Sequence, residues 1–143
     1  MFSDNYTQDT ALARAGVLDE ESATVDELAQ ASRSDEARVR VVAARHARTP
    51  LLSLLKLSDD EATSVRVALA SNARADVPED VWDRLAHDKQ VDVLIALAGN
   101  TAIPAAVLRR LALHRDRDVA AAARHQYAGQ GGVKGVLAKL TGG

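Results

Sequence analysis

The sequence repeats itself four times, and this internal repeat limits what the chain can fold into more than any other feature. Four valines, spaced by 26, 28 and 26 residues, mark the register: Val39, Val65, Val93 and Val119. Fifteen residues before each valine the corresponding residues are Thr24, Pro50, Pro78 and Pro104. Apolar residues recur in further shared columns, for example Leu28, Leu54, Trp82 and Leu108. Such a chain is expected to stack copies of one small unit.

Each repeat begins with a predicted helix. Thr49 and Pro50 predict an N-cap followed by a preorganised first helical residue. In the opening repeat, Thr24 and Glu27 predict a capping box instead. Apolar residues then recur at i, i+3 or i+4, and i+7, which places them in one stripe along the helix. Trp82 replaces a leucine in that stripe and is interpreted as a packing residue.

A second helix is predicted in the other half of each repeat. The run from Ser58 to Glu61 resembles a capping box, and the helix continues through Val65. Asn72 and Asn100 follow at the position of a left-handed C-cap. Neither helix can bury its apolar stripe alone, and strand signals are missing. The prediction is therefore an all-α fold, a short α-solenoid of about four two-helix repeats of 26–28 residues.

The repeat also predicts the domain organisation. Residues 1–128 are expected to form a single α-solenoid domain, with 1–23 as an N-terminal cap and 24–128 as the repeats. Residues 129–143 are expected to be a Gly-rich hinge followed by a short C-terminal helix or tail. Whether that tail docks on the last repeat or stays mobile is left open by the sequence.

Composition restricts the chemistry and the compartment. The 143 residues include no cysteine, which excludes disulfides, a thiol nucleophile and cysteine-ligated metal centres. The net charge of −2 gives no bulk attraction to nucleic acid or to an anionic membrane. The start lacks a secretory signal pattern. The longest uncharged run, residues 93–108, is too short to span a bilayer. A cytoplasmic protein without a membrane partner is expected.

No catalytic or metal constellation is visible in the sequence. The four histidines fall in different columns of the repeat, so a metal site with converging ligands is not predicted. The acidic pairs Asp59-Asp60 and Glu79-Asp80 are interpreted as first-turn residues that oppose the helix dipole, rather than as paired hydrolytic carboxylates. A phosphate-binding glycine loop and a nucleophile elbow are missing. The chain is predicted to be no enzyme and to carry no cofactor.

The repeats resemble the leucine-rich-repeat variant family. The resemblance rests on Val65-Arg66-Val67-Ala68-Leu69-Ala70-Ser71-Asn72 and on Leu85-Ala86-His87-Asp88. It implies a right-handed superhelix in which α-helices alternate with short 3₁₀ or α segments, so that the second helix of each repeat can be partly 3₁₀. The iron–sulfur cluster that belongs to the family pattern is not carried over, because the chain has no cysteine.

The repeats are also similar to HEAT repeats. In those repeats an aspartate six residues before an arginine forms a ladder between units, and Asp60 and Arg66 keep that spacing. Leu94 and Ala120 replace the arginine in the last two repeats, so the implied ladder is incomplete. Arg40 and Arg66 are accordingly interpreted as ladder or ion-pair residues, with contact to a partner as the alternative.

The second helices carry apolar residues on two sides. Val41, Val67, Ile95 and Ala121 lie two residues past the anchoring valines, about 200° around the helix. One interpretation is an inner layer enclosed between neighbouring helices. The other is an apolar groove, edged by Arg45 and His125, for an extended peptide or a helix. The candidate partner-binding residues are Arg40, Val41, Arg45, Arg66, Val67, Ile95 and His125.

These observations predict a non-catalytic scaffold that binds a protein or peptide through one face of an α-solenoid. A nucleic-acid-binding module is one alternative, with a strip formed by Arg38, Arg40, Arg45, Arg48, Arg66 and Arg74. Interspersed acids and the lack of exposed aromatic residues disfavour it. An accessory subunit of an enzyme is the other alternative. The charge is uneven, −7 over residues 1–37 and +5 over the rest. Such a dipole can steer a partner or drive head-to-tail self-contact, and solvation of a cap repeat explains the acidic end equally well.

Overall fold

The computed structural model describes residues 22–129, and this part of the chain is all-α, as predicted. Its eight helices are α1 (Val25–Ser32), α2 (Ala37–Arg45), α3 (Leu51–Leu57), α4 (Thr63–Ala70), α5 (Glu79–Ala86), α6 (Val91–Ala98), α7 (Ala105–Ala112) and α8 (Arg117–Gly129). Most of the predicted N-terminal cap, and the hinge and tail from residue 130, lie outside the described residues. Each predicted repeat corresponds to one pair of helices, from α1–α2 to α7–α8.

The helices pack in a regular pattern. Every helix contacts the next one along the chain and also the helix two places on. The odd helices α1, α3, α5 and α7 therefore form one row, and the even helices α2, α4, α6 and α8 form another. The even helices pack against one another more extensively than the odd helices do. The repeat seen in the sequence is thus also a repeat in the contacts.

The core lies between these two rows. The anchoring valines Val65, Val93 and Val119 are fully buried, and Val39 is 6% exposed. From the odd helices, Leu54, Trp82 and Leu108 enter the same core. Burial of side chains of this size contributes about 1.5–3 kcal/mol each. Trp82 is only 2% exposed, so the interpretation of this residue as a packing residue is confirmed.

Three of the odd helices, α3, α5 and α7, begin one residue later than predicted. Pro50, Pro78 and Pro104 are N-caps with extended backbone, such as φ −54° and ψ 139° at Pro50, and the helix starts at the next residue. The Thr49 hydroxyl does not cap α3; it donates to the Ala43 carbonyl at the end of α2, at 2.6 Å. Thr24 does cap α1, because its hydroxyl accepts the Glu27 N–H at 3.1 Å.

The second helix of the second repeat, α4, also begins later than predicted. Helix α4 starts at Thr63 rather than near Ser58, whose hydroxyl donates to the Leu55 carbonyl. The Asp60 carboxylate accepts the Ala62 N–H at 2.9 Å and holds the turn that precedes the helix. The partly 3₁₀ second helices implied by the family resemblance are not observed, since α2, α4, α6 and α8 are α-helices over their described lengths.

Candidate functional site

Two arginines tie successive repeats together. Arg40 on α2 reaches the next repeat, where its Nε lies 2.8 Å from Oδ2 of Asp60 and its Nη2 lies 3.2 Å from Oδ1. Its Nη1 donates to the Ser34 carbonyl in its own repeat at 2.7 Å. Each guanidinium therefore fills the space between two interhelix loops and binds both.

Arg66 on α4 repeats this arrangement one unit later. Its Nε and Nη2 lie 2.7 and 3.4 Å from the Asp88 carboxylate, and Nη1 donates to the Asp60 carbonyl at 2.6 Å. The side chains of both pairs are between 8% and 16% exposed. The hydrogen bond to Asp60 raises the pKa of Arg40 above its usual value, so this guanidinium stays charged. Among the sequence-predicted candidates, Arg40 and Arg66 are thus bound within the protein.

Two buried asparagines form a second set of ties. The Nδ2 of Asn72 donates to the Ala44 carbonyl at the end of α2, at 2.9 Å. The Nδ2 of Asn100 donates to the Ala70 carbonyl at 2.8 Å and to the Asn72 carbonyl at 2.7 Å. The sequence predicts these residues only as C-caps. Their shared column was visible in the sequence, but their partners lie 28 or 30 residues away.

One loop position has the same role in all four repeats. Its side chain accepts the backbone N–H two residues further on, at 2.9–3.1 Å. The residues are Ser34, Asp60, Asp88 and His114. The turn is therefore kept even where histidine replaces aspartate. Because Nδ1 of His114 accepts this hydrogen bond, the neutral ring carries its proton on Nε2.

The third joint, between the repeats α5–α6 and α7–α8, is built differently. Leu94 stands where Arg40 and Arg66 stand in α2 and α4, and it is 2% exposed. His114 stands where the aspartate partner would be. An open pocket of about 1090 Å³ lies at this joint. The missing arginine was visible in the sequence, whereas the pocket it leaves was not predicted.

Half of the ten residues that line this pocket have basic side chains. They are His87, Lys89, Arg110, His114 and Arg115. Asp88 and Asp116 also line it, and Ala86, Val91 and Leu94 supply its apolar surface. The Asp88 carboxylate is already paired with Arg66. Arg110 lies 3.3 Å from Asp83 and 2.9 Å from Nε2 of His87.

The other sequence-predicted candidates lie along the even helices. Val41, Val67 and Ile95 are half-buried and pack against the core, while Arg45 and His125 are exposed. Val41, Val67, Ile95 and the exposed Ala121 occupy the same position on adjacent even helices, so they form one line across that row; we call it the even-helix strip. The column of Arg45 and His125 contains the small residues Ser71 and Gly99 in between.

Among residues 22–129, no three histidine, aspartate or glutamate side chains cluster so that they could hold a metal ion. Within the same stretch, no helix has the length and hydrophobicity that crossing a membrane requires. No family model, curated protein or solved structure matches the chain.

Proposed function

We propose that this protein is a non-catalytic scaffold in the cytoplasm, a short right-handed α-solenoid of the leucine-rich-repeat-variant or HEAT-like kind that binds a protein or peptide partner. The packing of each helix against the helix two places along supports a stacked architecture. The arginine and asparagine ties, which recur at equivalent positions, support it further.

The even helices are proposed to line the concave side. In a curved stack, the inner row has the shorter path, so its helices approach one another more closely than the outer ones. The even helices pack more extensively than the odd helices, which matches the inner row. A concave row of parallel helices offers a continuous surface to an elongated partner.

The observation that carries the proposal is the even-helix strip. Its four apolar residues repeat once per helix; three of them are only half-buried, and the fourth, Ala121, is exposed. Ser71 and Gly99, one turn further along α4 and α6, do not cover it. An extended or helical peptide with several apolar side chains can bury this strip without any change in the fold.

The test uses the full chain against an array of immobilised peptides. Ile95→Lys places a charge in the strip, and the lysine stem can still cover the apolar surface beneath it. Ala106→Lys, at an exposed position on α7, adds the same charge on the other row and is the matched control. We expect Ile95→Lys to weaken the peptides bound by the wild type at least 10-fold and Ala106→Lys to leave them within 2-fold, on the order of 1.4 kcal/mol against 0.4.

Equal effects of the two substitutions, or the absence of any bound peptide, would contradict the proposal. Single-stranded and duplex oligonucleotides are tested in parallel at two salt concentrations. Oligonucleotide binding that falls steeply with salt would replace the proposal with a nucleic-acid-binding function.

A further inference from the structure

We propose that the pocket at the third joint binds a carboxylate group of an acidic peptide. This goes beyond the partner surface proposed above, because the pocket contains none of the residues of the even-helix strip. It opens beside the loops that join odd to even helices. Of the three joints in the described chain, this is the one where a leucine, Leu94, occupies the arginine position.

The pocket exists because a tie is missing. At the first two joints, the guanidinium of Arg40 or Arg66 occupies the space between consecutive loops. At the third joint Leu94 ends in the core, and His114 replaces the carboxylate that would have received the arginine. Both members of the pair are changed, so neither leaves an uncompensated charge. The space opens to an outside ligand instead.

The charge of the lining selects an anion. Asp88 is neutralised by Arg66, and Arg110 is neutralised by Asp83. The remaining charges of the lining are the two positive charges of Lys89 and Arg115 and the one negative charge of Asp116, so the pocket keeps a net positive charge. One oxygen of Asp116 is also occupied, because it accepts the N–H groups of Asp118 and Val119.

Hydrogen-bond donors complete the match to a carboxylate. Lys89 and Arg115 are exposed on the lining and make no ion pair with other described residues. The neutral ring of His114 offers Nε2–H as a donor, since its Nδ1 is held by the backbone of Asp116. Charge-assisted hydrogen bonds from such groups to a carboxylate are stronger than neutral ones.

The size and the apolar surface point to a peptide rather than a small anion. About 1090 Å³ is room for several side chains, in the range of sites that hold drug-sized ligands or larger. Ala86, Val91 and Leu94 give the methylene groups of a glutamate, or a small neighbouring residue, a surface to contact. The carboxylate can come from an acidic side chain or from the C-terminus of the peptide.

Fluorescence anisotropy on the full chain tests the proposal with three labelled ten-residue probes. One alternates Glu and Ala and is amidated at its C-terminus, one replaces each Glu by Gln, and one is alanine-based with a free C-terminus. We expect the Gln probe to bind at least 10-fold more weakly than the tighter of the two carboxylate probes. The amidated and free-terminus probes show which source of carboxylate the pocket prefers.

Paired variants separate the pocket from general attraction. Lys89→Glu with Arg115→Glu should weaken the preferred carboxylate probe at least 10-fold. Arg109→Glu reverses an exposed charge on α7 outside the pocket lining, and it should change the affinity for the same probe less than 2-fold. Leu94→Arg with His114→Asp rebuilds the missing tie and fills the pocket while the net charge stays constant. This variant should also lose at least 10-fold in affinity.

Three results would each overturn the proposal. They are equal binding of all three probes, an Arg109→Glu loss equal to that of the Lys89 and Arg115 pair, and full affinity in a folded Leu94→Arg, His114→Asp variant. If circular dichroism shows that this last variant is unfolded, the comparison of the exposed charge reversals decides. None of these variants alters the even-helix strip. The peptide-array experiment therefore tests the proposed function independently, even if the pocket proposal is overturned.

Discussion

The first two joints of this protein and its third joint bring the same kinds of helices together in different ways. At the first two joints, a bidentate arginine–aspartate pair and a buried asparagine cross from one repeat to the next. At the third joint Leu94, His114 and Gln126 occupy those columns. There α6 packs on α8 and α5 packs on α7 around buried Val119, Leu108 and Leu111.

The difference shows that apolar packing is enough to hold two neighbouring helix pairs together. A partly buried ion pair gives up the hydration of both charges, and its net contribution over an apolar pair of similar volume is often small. The polar ties have a different consequence, since they fill the space between loops and fix the register of the repeats. Where they are absent, the joint is still formed but it is open to solvent.

Removing one partner of an ion pair should have the largest effect on stability. Asp60→Ala leaves Arg40 buried without its carboxylate and leaves the Ala62 N–H uncapped. We expect a loss of about 3–5 kcal/mol in the free energy of unfolding, measured by urea denaturation. His114→Ala removes the cap at the same position of the untied joint and should cost about 1 kcal/mol. Equal losses would contradict the distinction between the joints.

The asparagine ties should follow in size. Asn100→Ala removes the donor to two buried carbonyls and the acceptor for the Ala102 N–H. A loss of about 2–3 kcal/mol is expected, because the groups left behind are out of contact with water. Asn72→Ala strands one such carbonyl and the Arg74 N–H, so it should cost less in the same urea titration. The reverse order would show that hydrogen-bond number does not set the loss.

Converting the second joint into the third sharpens the comparison further. Arg66→Leu alone leaves Asp88 without its partner and should cost about 3 kcal/mol. Adding Asp88→His introduces the residue pair of the third joint. The free energy of unfolding of the double variant should then lie within about 1 kcal/mol of the wild-type value. A double-mutant cycle in urea measures this recovery. If Asp88→His adds a further loss of stability to that of Arg66→Leu, the ion pair itself is needed at that joint.

The smallest effect should come from the loop that connects α4 to α5. Hydrogen bonds from Arg74 lower the pKa of the exposed Asp76 carboxyl. A lowered pKa in the folded state means that the contribution is present above the ordinary aspartate value, about 3.9, and is lost as the pH falls through the lowered value. In an NMR titration, Arg74→Ala should raise the pKa of Asp76. If the pKa of Asp76 is unchanged in this variant, the contact with Arg74 is not the cause of the lowered pKa.

Sequence periodicity predicted which residues enter the core and how many helix pairs they form. Helix starts were predicted less well, because the signals at Thr49 and Ser58 have other partners in the fold. Thr49 donates to the carbonyl of Ala43 and Ser58 to that of Leu55. A hydroxyl between two helices can accept an N–H at the start of the following helix or donate to a carbonyl at the end of the preceding one. The sequence alone does not show which of the two bonds forms.

The candidate site was the least predictable part. The columns of Asn72 and Asn100 were evident, but the carbonyls they bind belong to the preceding repeat and carry no side-chain signal. The loss of arginine at Leu94 was also evident. That it opens a pocket depends on where the neighbouring loops lie, which is a property of the packed repeats rather than of any one segment.

The polar ties also have a kinetic consequence, since they join residues only 20–30 positions apart. Contacts this local close small loops, so folding can nucleate within adjacent repeats and spread outward. Among the described helices, the pair α7–α8 lacks both kinds of tie, so we expect it to dock late and to detach first in native-state opening. A ligand held between the third and fourth repeats lowers the population of the detached state by mass action. Occupancy of the pocket is thereby expected to couple ligand binding to the docking of α7–α8.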